Sequence, residues 1–116
     1  ANDTFLSLQI GARVGTSQSH SIADGLLPTM PGEITFEIMQ QNLEAVVLVK
    51  DEELIRAVQF LLLRMKILVE PSGAAPVAAL MNDRLPDVQG KKIGVVLSGG
   101  NIDPKKLQEF LSLPSP

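Results

Sequence analysis

Cysteine, tryptophan and tyrosine are absent from this sequence, and histidine occurs once, at His20. Without thiols there is neither a disulfide framework nor a thiolate metal site. Four phenylalanines, 3% of residues, are the whole aromatic complement, too few for a base-stacking nucleic-acid platform. A basic patch is missing too. The formal net charge is −3 and the charged residues are scattered, so neither nucleic acid nor an anionic membrane surface is an expected partner. The longest apolar stretch, Phe60 to Val69, is interrupted by Arg64 and Lys66 and is far too short to span a bilayer. The opening residues, ANDTFLSLQI, carry no basic n-region or cleavage signature. A soluble cytoplasmic protein is the expectation. Because the first residue is Ala rather than Met, the chain reads as a processed product or a piece of something longer.

What is present is ample apolar material. The 116 residues are 45% hydrophobic with a mean hydropathy of +0.20, enough for the core of one domain or part of one. Asp3 to Ile10 reads as a short helix stopped by Gly11. The Ser/Thr/Gly/Pro-rich stretch RVGTSQSHSIADGLLPTMPGE follows without periodicity, and loops of that length are functional or disordered. From Thr35 to about Asn42 the apolar spacing is helical. Ala45 to Val49 and Ile93 to Leu97 are short apolar runs rich in valine, as in strands covered on both faces of a parallel sheet. Between them, Asp51 is placed as an N-cap. Leu54, Ala57, Val58, Leu61, Leu62 and Met65 mark a long amphipathic helix. Glu70-Pro71-Ser72-Gly73 reads as a turn before an Ala-rich helix ending near Asn82, and Asp103 with Pro104 opens the last helix. Strands alternating with helices predict an α/β layered domain with a mostly parallel sheet. Two strands leave both sheet edges bare, so the chain reads as part of a domain.

Three short stretches are candidates for chemistry. Ser98-Gly99-Gly100-Asn101 lies at the carboxyl end of the second apolar run, where open α/β sheets bind ligands. Two glycines there permit close approach of a flat ligand, and Ser98 offers a short donor or acceptor. The same residues also build ordinary strand-to-helix turns. No Gly-Lys-Ser/Thr follows, so this is not a P-loop. Glu70, between an apolar run and a helix of small residues, is either a partly buried site carboxylate or an exposed turn residue. Asp24-Gly25 is by itself a turn dipeptide, and His20 a polar loop residue.

Taken in order, ANDTFLSL, SIADGL, PGEITFEIMQ, DEELIRAVQFLLLRMKILVEPSGAA and KKIGVVLSGGNID resemble the C-terminal third of threonine dehydratases and their relative serine racemase. These are pyridoxal-phosphate enzymes of fold-type II, the tryptophan-synthase-β-like class. The resemblance covers essentially residues 1–116 and implies the C-terminal part of the cofactor-bearing large domain, without a regulatory domain after it. It implies that Ser98 hydrogen-bonds the pyridine nitrogen of the cofactor, with Gly99 and Gly100 near the ring edge. Gly25 and Glu70 match positions lining the same pocket. It further implies a divalent cation, Mg²⁺ or Ca²⁺ and in some members Mn²⁺, held by the carbonyl of Ala1 and the carboxylate of Asp3. A third ligand, a glutamate, would precede Ala1.

The family's Schiff-base lysine and its glycine-rich phosphate loop belong to segments that do not occur in these 116 residues, and no lysine here lies in a Ser-x-Phe-Lys context. The chain alone is therefore expected to be inactive. The implied parent deaminates L-threonine or L-serine to a 2-oxo acid and ammonia by β-elimination. A serine racemase is the alternative, and a non-catalytic interaction module the second. The expected partners are the amino-acid substrate, the N-terminal part of the same enzyme, and a second copy in a homodimer.

Overall fold

The structure, a computed structural model, describes residues 1–115. The chain divides into two compact units, one of residues 1–21 and 25–48, the other of residues 22–24 and 49–115. Each is built in its own way.

The first unit holds α1 (Asp3–Ile10), most of a single 3-10 turn (Asp24–Leu26) and α2 (Glu33–Asn42). Helix α1 stops where Gly11 takes a left-handed φ of +80°, returning its N–H to the Ser7 carbonyl. That conformation is one a glycine adopts without penalty. Polar stitching then does what a large core would do elsewhere. The fully buried Ser7 hydroxyl donates to the Val14 carbonyl (3.2 Å) and accepts from the Val14 N–H (3.0 Å). Arg13 Nε donates to the Pro31 carbonyl at 2.9 Å, and the Thr16 N–H to the Thr29 carbonyl at 2.8 Å. The long Ser/Thr-rich loop is thus tied along residues 29–31. Helix α2 buries Phe36 and leaves Ile34 and Ile38 exposed.

The second unit contains the apolar core. Its helices are α3 (Asp51–Phe60), continued by a π-helical turn at Leu61–Met65, α4 (Pro71–Met81) and α5 (Pro104–Ser112). Leu54, Ala57, Val58 and Leu61 recur at i, i+3, i+4 and i+7, and this stripe is buried with Ala74 and Ala78 of α4 and Phe110 of α5. Alanines on α4 let its backbone approach α3, its main packing partner. Glu53 closes the start of α3 by accepting the Lys50 N–H at 2.8 Å, and its other carboxylate oxygen pairs with Arg84. Burial works against that charge, but the Lys50 N–H and the Arg84 guanidinium outweigh it and hold the Glu53 carboxyl below its ordinary range. At the far end, buried Gln59 donates to the carbonyls of Phe110 (2.7 Å) and Leu113 (3.0 Å), satisfying the end of α5.

Several expectations need correction. Residue Lys50 precedes α3 and Asp51 is its first helical residue, so Asp51 is not the N-cap. The expected turn at Glu70–Gly73 is the N-cap and first turn of α4, with Pro71 at the first helical position. The amphipathic helix ends in a π turn, closed by Lys66 at a left-handed φ of 62°. Among the described residues, neither Ala45–Val49 nor Ile93–Leu97 forms a strand ladder. A strand exists only through hydrogen bonds lent by a neighbour, and the apolar runs have none. Val96 is 77% exposed, whereas Leu97 packs against the core. The second run therefore has one covered face, not two.

Candidate functional site

The site is assembled in the second unit around the close approach of two backbones. Residues Leu68–Glu70 lie against Gly99–Gly100. The Glu70 N–H donates to the Gly99 carbonyl at 3.1 Å, and the Ile102 N–H turns back to the Gly100 carbonyl at 3.0 Å. Three glycines make this possible. A Cβ on Gly73 would fall 2.8 Å from the Gly99 carbonyl oxygen, and one on Gly100 would fall 2.8 Å from that of Leu68. A Cβ on Gly99 would meet the Glu70 carboxylate, which would have to swing aside. A Cβ is not found so close to another atom, and at Gly73 and Gly100 the obstructing atoms are backbone, so glycine is required at those two positions by contact rather than by dihedral angle.

Ser98 stands immediately before this junction. It is exposed, and among the described residues its hydroxyl has no hydrogen-bond partner. Glu70 is half-buried at the N-cap of α4 with its carboxylate over Gly99. The motif then passes into α5, whose start is capped as expected. The Asp103 carboxylate accepts from the N–H groups of Lys105 (2.8 Å) and Lys106 (3.3 Å), with Pro104 first in the helix. The second unit therefore brings Ser98, Gly99, Gly100 and Glu70 together. Gly73 completes that group, and sequence reasoning does not reach it. Read as part of a turn ahead of the helix, it carries no signal of this contact; in the structure it lies inside α4.

The other candidates meet in the first unit. Ala1, Asp3 and Gly25 all line one cavity of about 460 Å³, together with Leu26, Pro31 and Thr35. Asp3 is 7% exposed, and Gly25 sits in the 3-10 turn. Among the described residues no three carboxylate or imidazole groups gather to hold a metal. His20 is exposed and pairs with Gln18 at 3.1 Å. Nothing in its surroundings makes it a base.

Comparison with known proteins decides the family. The profile described as "Pyridoxal-phosphate dependent enzyme" matches residues 1–99. The chain belongs to the pyridoxal-phosphate dependent enzymes. It is similar to the L-threonine ammonia-lyase of Geobacter sulfurreducens, 46% identical over 107 residues, covering 92% of this chain and 26% of that protein. It is also similar to the serine racemase of Dictyostelium discoideum, 37% identical over 115 residues, covering 97% of this chain and 35% of the other. Among solved structures, the T.th. threonine deaminase superposes with a TM-score of 0.80 at 35% identity, over 89% of this chain and 36% of that one. The chain thus spans about a quarter to a third of the relatives it matches. The similarity to pyridoxal-phosphate enzymes of known structure agrees with an α/β fold class. At the Ser98–Gly100 junction an exposed neutral hydroxyl is followed by two residues without side chains. Among the described residues, no helix is long and apolar enough to cross a membrane.

Proposed function

We propose that this chain is the C-terminal part of the cofactor-bearing large domain of an ammonia-lyase. The enzyme would convert L-threonine or L-serine to a 2-oxo acid and ammonia by β-elimination. The observation that carries the reading is the exposed Ser98 hydroxyl, unpartnered among the described residues, on a loop pinned by the Glu70–Gly99 hydrogen bond. The names of the relatives, threonine ammonia-lyase and serine racemase, point the same way.

When bound, pyridoxal phosphate supplies the electron sink that lets an α-proton leave and a β-hydroxyl depart. The rest is the work of this chain's residues. Ser98 would donate its hydroxyl proton to the pyridine nitrogen and, being neutral, would leave that nitrogen without a proton of its own. Gly99 and Gly100 would offer the ring edge a floor of bare backbone. Glu70 would keep that floor in place through its N–H, which donates to the Gly99 carbonyl. In the first unit, the Asp3 carboxylate and the Ala1 carbonyl would hold a divalent cation, Mg²⁺ or Ca²⁺ or in some members Mn²⁺. The support is a carboxylate lining a cavity while 7% exposed and accepting a long 3.5 Å hydrogen bond from the Thr4 hydroxyl, since buried carboxylates are ordinarily compensated. Gly25 lines the same cavity, and we retain it as a cofactor-pocket residue. A mostly parallel sheet taking in Ile93–Leu97, a homodimer and a cytoplasmic setting belong to the same reading. The uncovered face at Val96 suits a sheet neighbour, and exposed Ile34 and Ile38 suit a subunit contact.

The test uses the longer protein that carries this chain, loaded with pyridoxal phosphate. L-Threonine or L-serine should yield 2-oxo acid and ammonia in equal amounts. Neither product from either substrate would overturn the reading. The similarity to serine racemase gives a second reading, which D-serine formation in excess of 2-oxo acid would favour.

A further inference from the structure

Residues Ile22–Asp24 are held in the second unit as a short irregular insertion. Ala23 is 0% exposed within the helical core, and Ile22 packs against that core. Ile22 and Ala23, ahead of the 3-10 turn, have neither helix nor ladder to satisfy their backbone, yet buried N–H and C=O groups require partners. For Ile22 both are supplied by charged side chains from distant helices. Its N–H donates to Asp51 Oδ2 at 3.2 Å, and its carbonyl accepts from Lys106 Nζ at 3.4 Å. Asp51 opens α3 and Lys106 lies in the first turn of α5. A carboxylate suits its end of a helix. An ammonium in the first turn of α5 faces the unfavourable end of the dipole, and the hydrogen bond to the Ile22 carbonyl offsets that for Lys106.

We propose that Asp51 and Lys106 are positioning residues for the cofactor site, acting as an oppositely charged clamp on the Ile22 backbone. The clamp joins two motifs that are separate in sequence. Lys106 belongs to the helix launched directly by Ser98–Asn101, and Ile22–Asp24 is the peptide that leads into Gly25. Pulling on the Ile22 carbonyl fixes the first turn of α5. That turn in turn fixes where Ser98 stands, at the start of the short loop that leads into the helix. The inference rests on the proposed role of Ser98 toward pyridoxal phosphate.

The experiment uses the full-length holoenzyme and four variants: Lys106→Met, Lys106→Arg, Asp51→Ala and Asp51→Asn. Two quantities are read, amide hydrogen exchange of the peptide covering Ile22–Asp24 and the rate of pyridoxal phosphate loss after dilution. Removing one charged hydrogen bond should speed local exchange by about 10-fold or more. Lys106→Met and Asp51→Ala should do so, and both should also release the cofactor several-fold faster. Arginine at 106 and asparagine at 51 keep a donor and an acceptor, should fold, and should restore both readouts toward wild type. Unchanged exchange in Lys106→Met and Asp51→Ala overturns the clamp. Faster exchange with unchanged cofactor release overturns the positioning role and leaves a purely structural contact. If Lys106→Met or Asp51→Ala does not fold, the conservative pair decides: wild-type exchange and release in both support the clamp, and impairment of either overturns it. A wild-type protein that retains no pyridoxal phosphate sinks the proposed function itself, a result distinct from variants that behave like a cofactor-loaded wild type.

Discussion

Replacing Gly73 by alanine sets two known effects against each other. Within a helix, Gly→Ala is ordinarily stabilising by about 0.5–1 kcal/mol, because glycine loses more backbone freedom on folding. Here the added methyl would stand 2.8 Å from the Gly99 carbonyl oxygen, 3.0 Å from Val69 Cγ1 and 3.1 Å from the Gly99 nitrogen. Two of those neighbours are backbone and cannot rotate away. Overpacking of this kind costs about 1–3 kcal/mol. Parting the two backbones also lengthens the Glu70 to Gly99 hydrogen bond, now 3.1 Å, which contributes about 0.5–1.5 kcal/mol. The clash wins, with a net loss of about 1–3 kcal/mol. Gly94→Ala is the matched control, since nothing lies within 4 Å of a Cβ there. It should be neutral or slightly stabilising, through the unfolded chain. Urea unfolding followed by circular dichroism measures both. Gly73→Ala unfolding at or above the wild-type midpoint would refute the tight junction.

Further outcomes follow from other contacts. Glu53 has a lowered folded-state pKa, so its contribution is complete above the unfolded carboxyl value near about 4.3 and is lost as pH falls through the folded value. Unfolding free energy measured against pH should therefore drop on the acid side, with a shallower drop in Arg84→Met. A stability profile flat far into the acid range would contradict this. Gln59→Glu should destabilise more than Gln59→Leu: both lose the donor to the Phe110 and Leu113 carbonyls, but the carboxylate also sets a buried charge against those oxygens; the leucine variant should lose about 1–3 kcal/mol in urea unfolding. In the longer protein, Mg²⁺ or Ca²⁺ should raise the melting temperature by mass action, and Asp3→Ala should abolish that rise; a rise that survives would remove Asp3 from the cation site.

What sequence reasoning reaches, and what it misses, follows the range of the interactions. The caps and stripes are local, so Asp103 with Pro104, the end of α1 at Gly11, and the Leu54–Leu61 stripe can be read directly. The expected strands differ in kind. Valine-rich composition marks Ile93–Leu97 as fit for a sheet, but its hydrogen bonds must come from elsewhere, and among the described residues only one rung, Glu70 to Gly99, is made nearby. The assignment of Asp51 as N-cap misses by one position because its carboxylate serves Ile22, 29 residues away. Gly73 and Lys106 are invisible as site residues for the same reason. Their roles depend on Gly99 and on an Ile22 carbonyl 84 residues distant, separations to which no local pattern refers. The order of short motifs does carry the family, which the matching profile over residues 1–99 establishes.

The central claim is that the Ser98 hydroxyl meets the pyridine nitrogen of the cofactor. The most direct measurement is the pyridoxal phosphate dissociation constant of Ser98→Ala against wild type, in the longer protein that carries this chain. A neutral hydrogen bond contributes about 0.5–1.5 kcal/mol net, so the constant should rise about 2- to 13-fold while the fold is retained. An unchanged constant would contradict the account, and Ser98 would then be an ordinary turn residue.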